Sequence, residues 1–124
     1  MLSGLNSKIV GACLVAAAIC GFAPTASATV GNGTLLEVVI ESGTSFARVR
    51  LSGAAIGGRP ACHNAAYTTH YGFDISTPKG KALLSTATAA MLAGKTVSLG
   101  GVGTCTNLGN VSLETLASLI VNAT

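Results

Sequence analysis

Tryptophan is absent from this chain, and aromatic residues of all kinds make up only 4% of it. So few rings leave little to stack against the face of a sugar. Acidic residues are equally scarce, since Glu37, Glu41, Asp74 and Glu114 are the whole set. No two of them stand at a spacing that calls for acid–base chemistry. Serine and threonine are plentiful, but two histidines and one aspartate assemble no specific catalytic triad. A formal charge of +3 is too weak for a dedicated nucleic-acid binder. The glycine-rich Gly101-Val102-Gly103 lacks the helix and fingerprint of a nucleotide-binding turn. Composition thus argues against an enzyme, a cofactor and a nucleic-acid partner.

What is present begins with an apolar run. Lys8 precedes an uncharged stretch from Ile9 to Ala23, Pro24 ends it, and Ala26-Ser27-Ala28 supplies small residues for a signal peptidase. The run is shorter than the roughly 20 residues of a membrane-spanning helix. Bulky Ile19 before Cys20 disfavours a lipoprotein site. The expectation is a signal peptide over 1–28, cleavage after Ala28, and a domain over 29–124. Cleavage removes Lys8 and lowers the positive charge by one. No later stretch is apolar enough to span a bilayer, so the processed chain is expected to be secreted or periplasmic.

The four cysteines divide along the same boundary. Cys13 and Cys20 lie in the apolar run, while Cys62 and Cys105 remain after cleavage. In an oxidising compartment these two are expected to pair, closing a long loop and stabilising the fold by roughly 4 kcal/mol on the chain-entropy model. A zinc site from Cys62, His63 and His70 is the alternative. Those positions lack standard ligand spacing, and metal binding would compete with oxidation.

Hydrophobic periodicity gives the architecture. Leu36, Val38 and Ile40 alternate with polar neighbours, as do Ala47, Val49 and Leu51, around Ser42-Gly43-Thr44-Ser45. A two-residue turn on Gly43-Thr44 pairs Ile40 with Ala47, Val38 with Val49 and Leu36 with Leu51, all six facing the core. The same register sets Glu37 opposite Arg50 on the outer face. Gly53 to Thr69 reads as a long loop, and Tyr71, Phe73 and Ile75 as a third strand. A helix follows, capped by Thr77, with Pro78 in its first turn and Gly94 at its end. Leu84, Ala87 or Thr88, and Met91 recur at helical spacing, with Leu83 and Leu92 widening the stripe. Lys95 to Gly100 makes a fourth strand, and Gly101 to Gly109 a loop holding Cys105. Val111 to Val121 carries both helical and strand periods. A strand is preferred, because a four-stranded sheet would keep two bare edges. The fold class is mainly β with one helix. The order of strand, strand, strand, helix, strand, strand is that of a five-stranded OB-fold-like barrel.

From about Gly33 to Cys105 the chain resembles the pentamer-forming B subunits of AB5 toxins, of the subtilase-cytotoxin and pertussis-like type. It is similar also to a broad set of short exported bacterial proteins. The likeness lies in the Leu35–Ile40 strand, Cys62, the helix start Gly80-Lys81-Ala82-Leu83, the run Ala89-Ala90-Met91-Leu92-Ala93-Gly94-Lys95-Thr96-Val97, and Cys105. It implies a secreted, non-enzymatic, oligomeric OB-fold module that binds glycans. The serine that such proteins use early in their first strand falls on Leu36 here, so no sugar site is carried over.

The residues themselves offer one ligand face. Phe46, Arg48 and Arg50 form a basic stripe with an exposed aromatic on the outer side of the second strand, suited to an anionic group such as a sialic acid carboxylate. Pairing of Arg50 with Glu37 on a solvated strand is the plainer reading. His63 and His70 are expected to be solvated loop histidines. Beside the glycan-binding homo-oligomer stands a second expectation: a monomeric envelope protein that binds a protein partner, of inhibitor or immunity type.

Overall fold

The structure, a computed structural model, describes residues 28–123. The apolar run, Cys13 and Cys20 lie outside the described residues. The elements are β1 (Val30–Ile40), β2 (Phe46–Leu51), β3 (His70–Asp74), α1 (Pro78–Leu92), β4 (Thr96–Asn107) and β5 (Ser112–Val121). Mainly β with one helix, and five strands in the expected order, is what the sequence led us to expect. β1 pairs with β2 through its second half and with β4 through its first half. β2 continues to β3 and β4 to β5, and a short parallel contact at Gly72 and Thr115 joins β3 to β5. The ring of pairings therefore closes, in the order β1-β2-β3-β5-β4.

Inside that ring Ala47, Val49, Leu51, Tyr71, Phe73, Val97, Leu99 and Leu116 are buried, and α1 adds Ala87 and Ala90. Small alanines let the helix lie close to the strands. Thr77 caps α1 by accepting the Gly80 N–H at 3.0 Å, with Pro78 in the first turn and Gly94 just past the end. Leu83, Leu84 and Met91 pack at the core margin. Leu92, expected on the inner stripe, is instead 80% exposed at the helix end.

The hairpin register holds from Glu37 to Ile40, with Ile40 opposite Ala47, Val38 opposite Val49 and Glu37 opposite Arg50. Its turn differs from the two-residue form. Glu41 N–H donates to Phe46 O, and Thr44 N–H to Glu41 O, so the loop spans 42–45 with Gly43 at a φ of 74°. Adding one residue to each side of the turn leaves the pairing unchanged, which is why the register survives. A bulge between Leu35 and Glu37 places Leu35, not Leu36, opposite Leu51. Leu35 takes the core position and Leu36 points out, 52% exposed. Ile40, beside the turn, is also exposed.

β4 is longer than expected and runs through the glycines that read as a loop, so Cys105 is a strand residue. Its ladder to β5 shifts register around Gly101. Ile75 lies just past the end of β3 and packs against the core. β5 is a strand, as preferred. A second, smaller cluster of Leu108, Val111 and Leu113 lies on the outer side of β3, where Gly72 leaves room.

Cys62 and Cys105 lie at bonding distance, S–S 1.98 Å, and tie the 52–69 loop to β4. Their sequence separation of 43 residues makes the loop-closure effect large, roughly 4 kcal/mol. Cys62→Ser is expected to lower the thermal midpoint sharply under oxidising conditions and to change little once wild type is reduced. Thermal unfolding with and without a thiol reductant checks this.

Candidate functional site

Two polar constellations stand out: the expected stripe on β2, and a buried cluster around Glu114. On the stripe, strand alternation puts Phe46, Arg48 and Arg50 on the outer side of β2. Glu37 lies between the two arginines, 3.4 Å from Arg48 Nε and 3.5 Å from Arg50 Nε. Arg48 also pairs with Glu41 through Nη1, and its guanidinium stands 5.9 Å from the Tyr67 ring centre. Two cations thus face two carboxylates, and the stripe carries little net charge. Phe46 is half-buried rather than exposed, because it packs with Tyr67 against Leu108, Val111 and Leu113.

The buried cluster was not anticipated. On β5, Glu114 takes an inward position two residues before core Leu116, and it is 0% exposed. Such a carboxylate is tolerable only if its lone pairs are filled. Oε1 accepts Thr29 N–H at 3.1 Å and Gly103 N–H at 3.2 Å. Oε2 accepts Arg59 Nη1 at 3.0 Å and the Thr29 hydroxyl. With its only proton on the carboxylate, Thr29 Oγ1 accepts from Tyr71 OH at 2.9 Å. The Arg59 guanidinium lies 4.1 Å from the centre of the Tyr71 ring. Gly101 is required here, since a Cβ at that position would collide with the Glu114 carboxylate.

Neither histidine is a solvated loop residue. His63 is buried and accepts Glu114 N–H on Nδ1 at 2.9 Å while Nε2 donates to Tyr67 O at 2.9 Å, which fixes the neutral Nε2–H tautomer. Burial lowers its pKa below 6.5, and Arg59 adds to that against Tyr67 O and Glu114. His70 begins β3 and stacks edge-on with Tyr67, and its pKa too is lowered chiefly by burial. Burial also raises the pKa of Tyr71. With Cys62 in the disulfide and His63 bonded through both nitrogens, His70 is the member of the zinc set that keeps an unpartnered nitrogen, Nδ1. Among the described residues no group of three or more metal-ligating side chains occurs.

The filled carboxylate has no oxygen free for a substrate proton, so the cluster is chemically a structural tie. A shallow cavity of about 190 Å³ lies between the start of α1 and β3 and β5, lined by Phe73, Asp74, Lys79 and Leu83 among others. It is smaller than the ~300–1,000 Å³ of ordinary ligand pockets. Comparison with known proteins finds no matching family model, no matching curated protein and no matching solved structure.

Sequence reasoning overlooked Arg59, Thr29 and the role of Glu114. The usable signal was Glu114 itself, a lone acid at an inward position of an apolar strand.

Removing one partner of a buried ion pair costs about 3–5 kcal/mol, because the other charge stays buried. Arg59→Met is expected to lose stability of that order in urea unfolding, far more than Arg50→Met on the surface stripe. The histidines add a pH dependence. Both have folded pKa values below the unfolded 6.5, so their contribution is whole above about pH 6.5 and is lost as pH falls through the folded values. Melting temperature is therefore expected to drop between pH 7.5 and pH 5, and His63→Asn to flatten that slope.

Proposed function

We propose that this chain is an exported binding module without catalytic chemistry, built on an OB-fold-like barrel and recognising an anionic glycan on the outer face of β2. The layout supports the fold assignment: five strands in the ring order β1-β2-β3-β5-β4, with a helix between β3 and β4. The disulfide supports export, because such bonds persist in oxidising compartments, secreted or periplasmic. Among the described residues no helix is long and apolar enough to cross a membrane. The likeness to toxin B subunits supports a glycan ligand and a homo-oligomer.

The observation that carries the ligand reading is the arrangement of Arg48 and Arg50 on either side of Glu37, next to the Tyr67 ring. A sugar carboxylate replaces the Glu37 carboxylate between the two guanidinium groups, while the pyranose rests near Tyr67. Exchange of one carboxylate for another gives a weak single site, so the function draws on several sites acting together.

A protein partner is the second reading, and a particular surface favours it. Val30, Asn32, Ser98, Ser118 and Ile120 share the outer face of β1, β4 and β5. Val30 and Ile120 are exposed there among small polar side chains, a low-relief surface suited to protein contact.

Light scattering on the processed chain under non-reducing conditions is expected to give a pentamer. A sialoglycan array is expected to show binding that Arg50→Ala abolishes while the mass stays unchanged. A monomer with no glycan signal overturns this reading in favour of a protein partner at the Val30–Ile120 face.

A further inference from the structure

Thr29 is the point where the chain passes from solvent into the closed fold. Ala28 is exposed, whereas Thr29 is only 4% exposed. Its carbonyl accepts Gly101 N–H at 2.8 Å, and Val30 next to it pairs with Gly100. Its own nitrogen is thereby held 3.1 Å from Glu114 Oε1. The bond expected to be cut during export joins these two residues.

We infer that the α-ammonium group released at Thr29 by cleavage after Ala28 remains where the amide was and forms an ion pair with Glu114. The inference rests on the export reading above. In the cleavage, water adds across the bond between Ala28 carbonyl carbon and Thr29 nitrogen. Ala28 leaves with a carboxylate, and the nitrogen goes from one hydrogen to three, as an ammonium. A neutral donor to a buried carboxylate becomes a charged one, which strengthens the bond.

The surrounding groups accommodate the charge. Arg59 occupies Oε2, so the two cations sit on opposite oxygens of one carboxylate. The Tyr71 hydroxyl bonds to the Thr29 hydroxyl and its ring lies against Arg59, while His63, bound to the Glu114 N–H, is held neutral. The remaining ammonium hydrogens point to the space that Ala28 vacates. Arg59 opposes the new charge, and Glu114, in direct contact, favours it. The processed N-terminus is thus a member of the core network, and any residue left in front of Thr29 weakens it.

Desolvation and ion pairing shift an amine in opposite directions, which makes the pairing measurable. The full chain, exported by a bacterial host and purified after processing, is compared with a variant carrying Ser-Gly inserted between Ala28 and Thr29. Intact mass identifies each N-terminus. The pH dependence of α-amine acylation by an activated ester gives each amine pKa. The processed chain is expected to start at Thr29 with an amine pKa above the usual ~7.7–8.0, and to react about ten-fold more slowly at neutral pH than the insertion variant. Its thermal advantage over that variant is expected to fade as pH rises through the raised pKa. An amine pKa at or below the ordinary range on a chain that does start at Thr29 overturns the ion pair alone. A mass showing another N-terminus overturns the export site, and the inference with it.

Discussion

The rest of this structure depends on a single buried carboxylate. Glu114 lies wholly out of water and is reached by groups from the N-terminal end of β1, the 52–69 loop and β4. A buried pair of charges adds little net stability over well-packed apolar side chains, because desolvation offsets the attraction. Its importance lies in what it forbids. Any arrangement that leaves Glu114 without these donors costs several kcal/mol, a large share of the stability of so small a domain. The network therefore selects one docking of the loop and one path of β1 out of many that would bury similar apolar area.

This explains features that look unrelated. β4 has a glycine at position 101, in its middle, because the carboxylate occupies the space a Cβ there would need. Its ladder to β5 slips there, and Gly103 turns its N–H onto Oε1. Tyr71 keeps its hydroxyl inside the core because Thr29 provides an acceptor, and its ring supports the Arg59 guanidinium.

The period-two pattern of β1 and β2 made the hairpin legible, and Glu37 facing Arg50 confirmed its register from charge. The helix was legible from its cap, its proline and its closing glycine. The bulge was hidden because Leu35 and Leu36 are identical, and composition gives no reason to prefer one for the core. The length of β4 was hidden because glycines that make room for a side chain look the same as glycines that make a loop. The Glu114 cluster was the least accessible. Thr29 and Glu114 are 85 positions apart, and no local spacing records their meeting. On β2, Arg48 and Arg50 were found at their expected positions, but the amount of Glu37 and Glu41 charge facing them depends on the three-dimensional pairing.

The disulfide and the carboxylate bind the same segments but act on different states of the chain. Cys105 stands opposite Glu114 in the β4–β5 ladder, and Cys62 adjoins His63, which accepts the Glu114 N–H. The covalent bond restricts the unfolded chain and has no preference among ways of laying the loop on the sheet. The carboxylate contributes little to the unfolded chain, yet it accepts only the arrangement that brings Arg59, Thr29 and Gly103 to it together. The loop between β2 and β3 offers apolar surface mainly through Ile56, on the main core, and Tyr67, on the smaller cluster. Two partly buried side chains hold so long a loop less firmly than a packed element is held. Cross-link and ionic tie together give it a single position, and with it a fixed Tyr67 beside the Arg48 guanidinium on the outer face of β2.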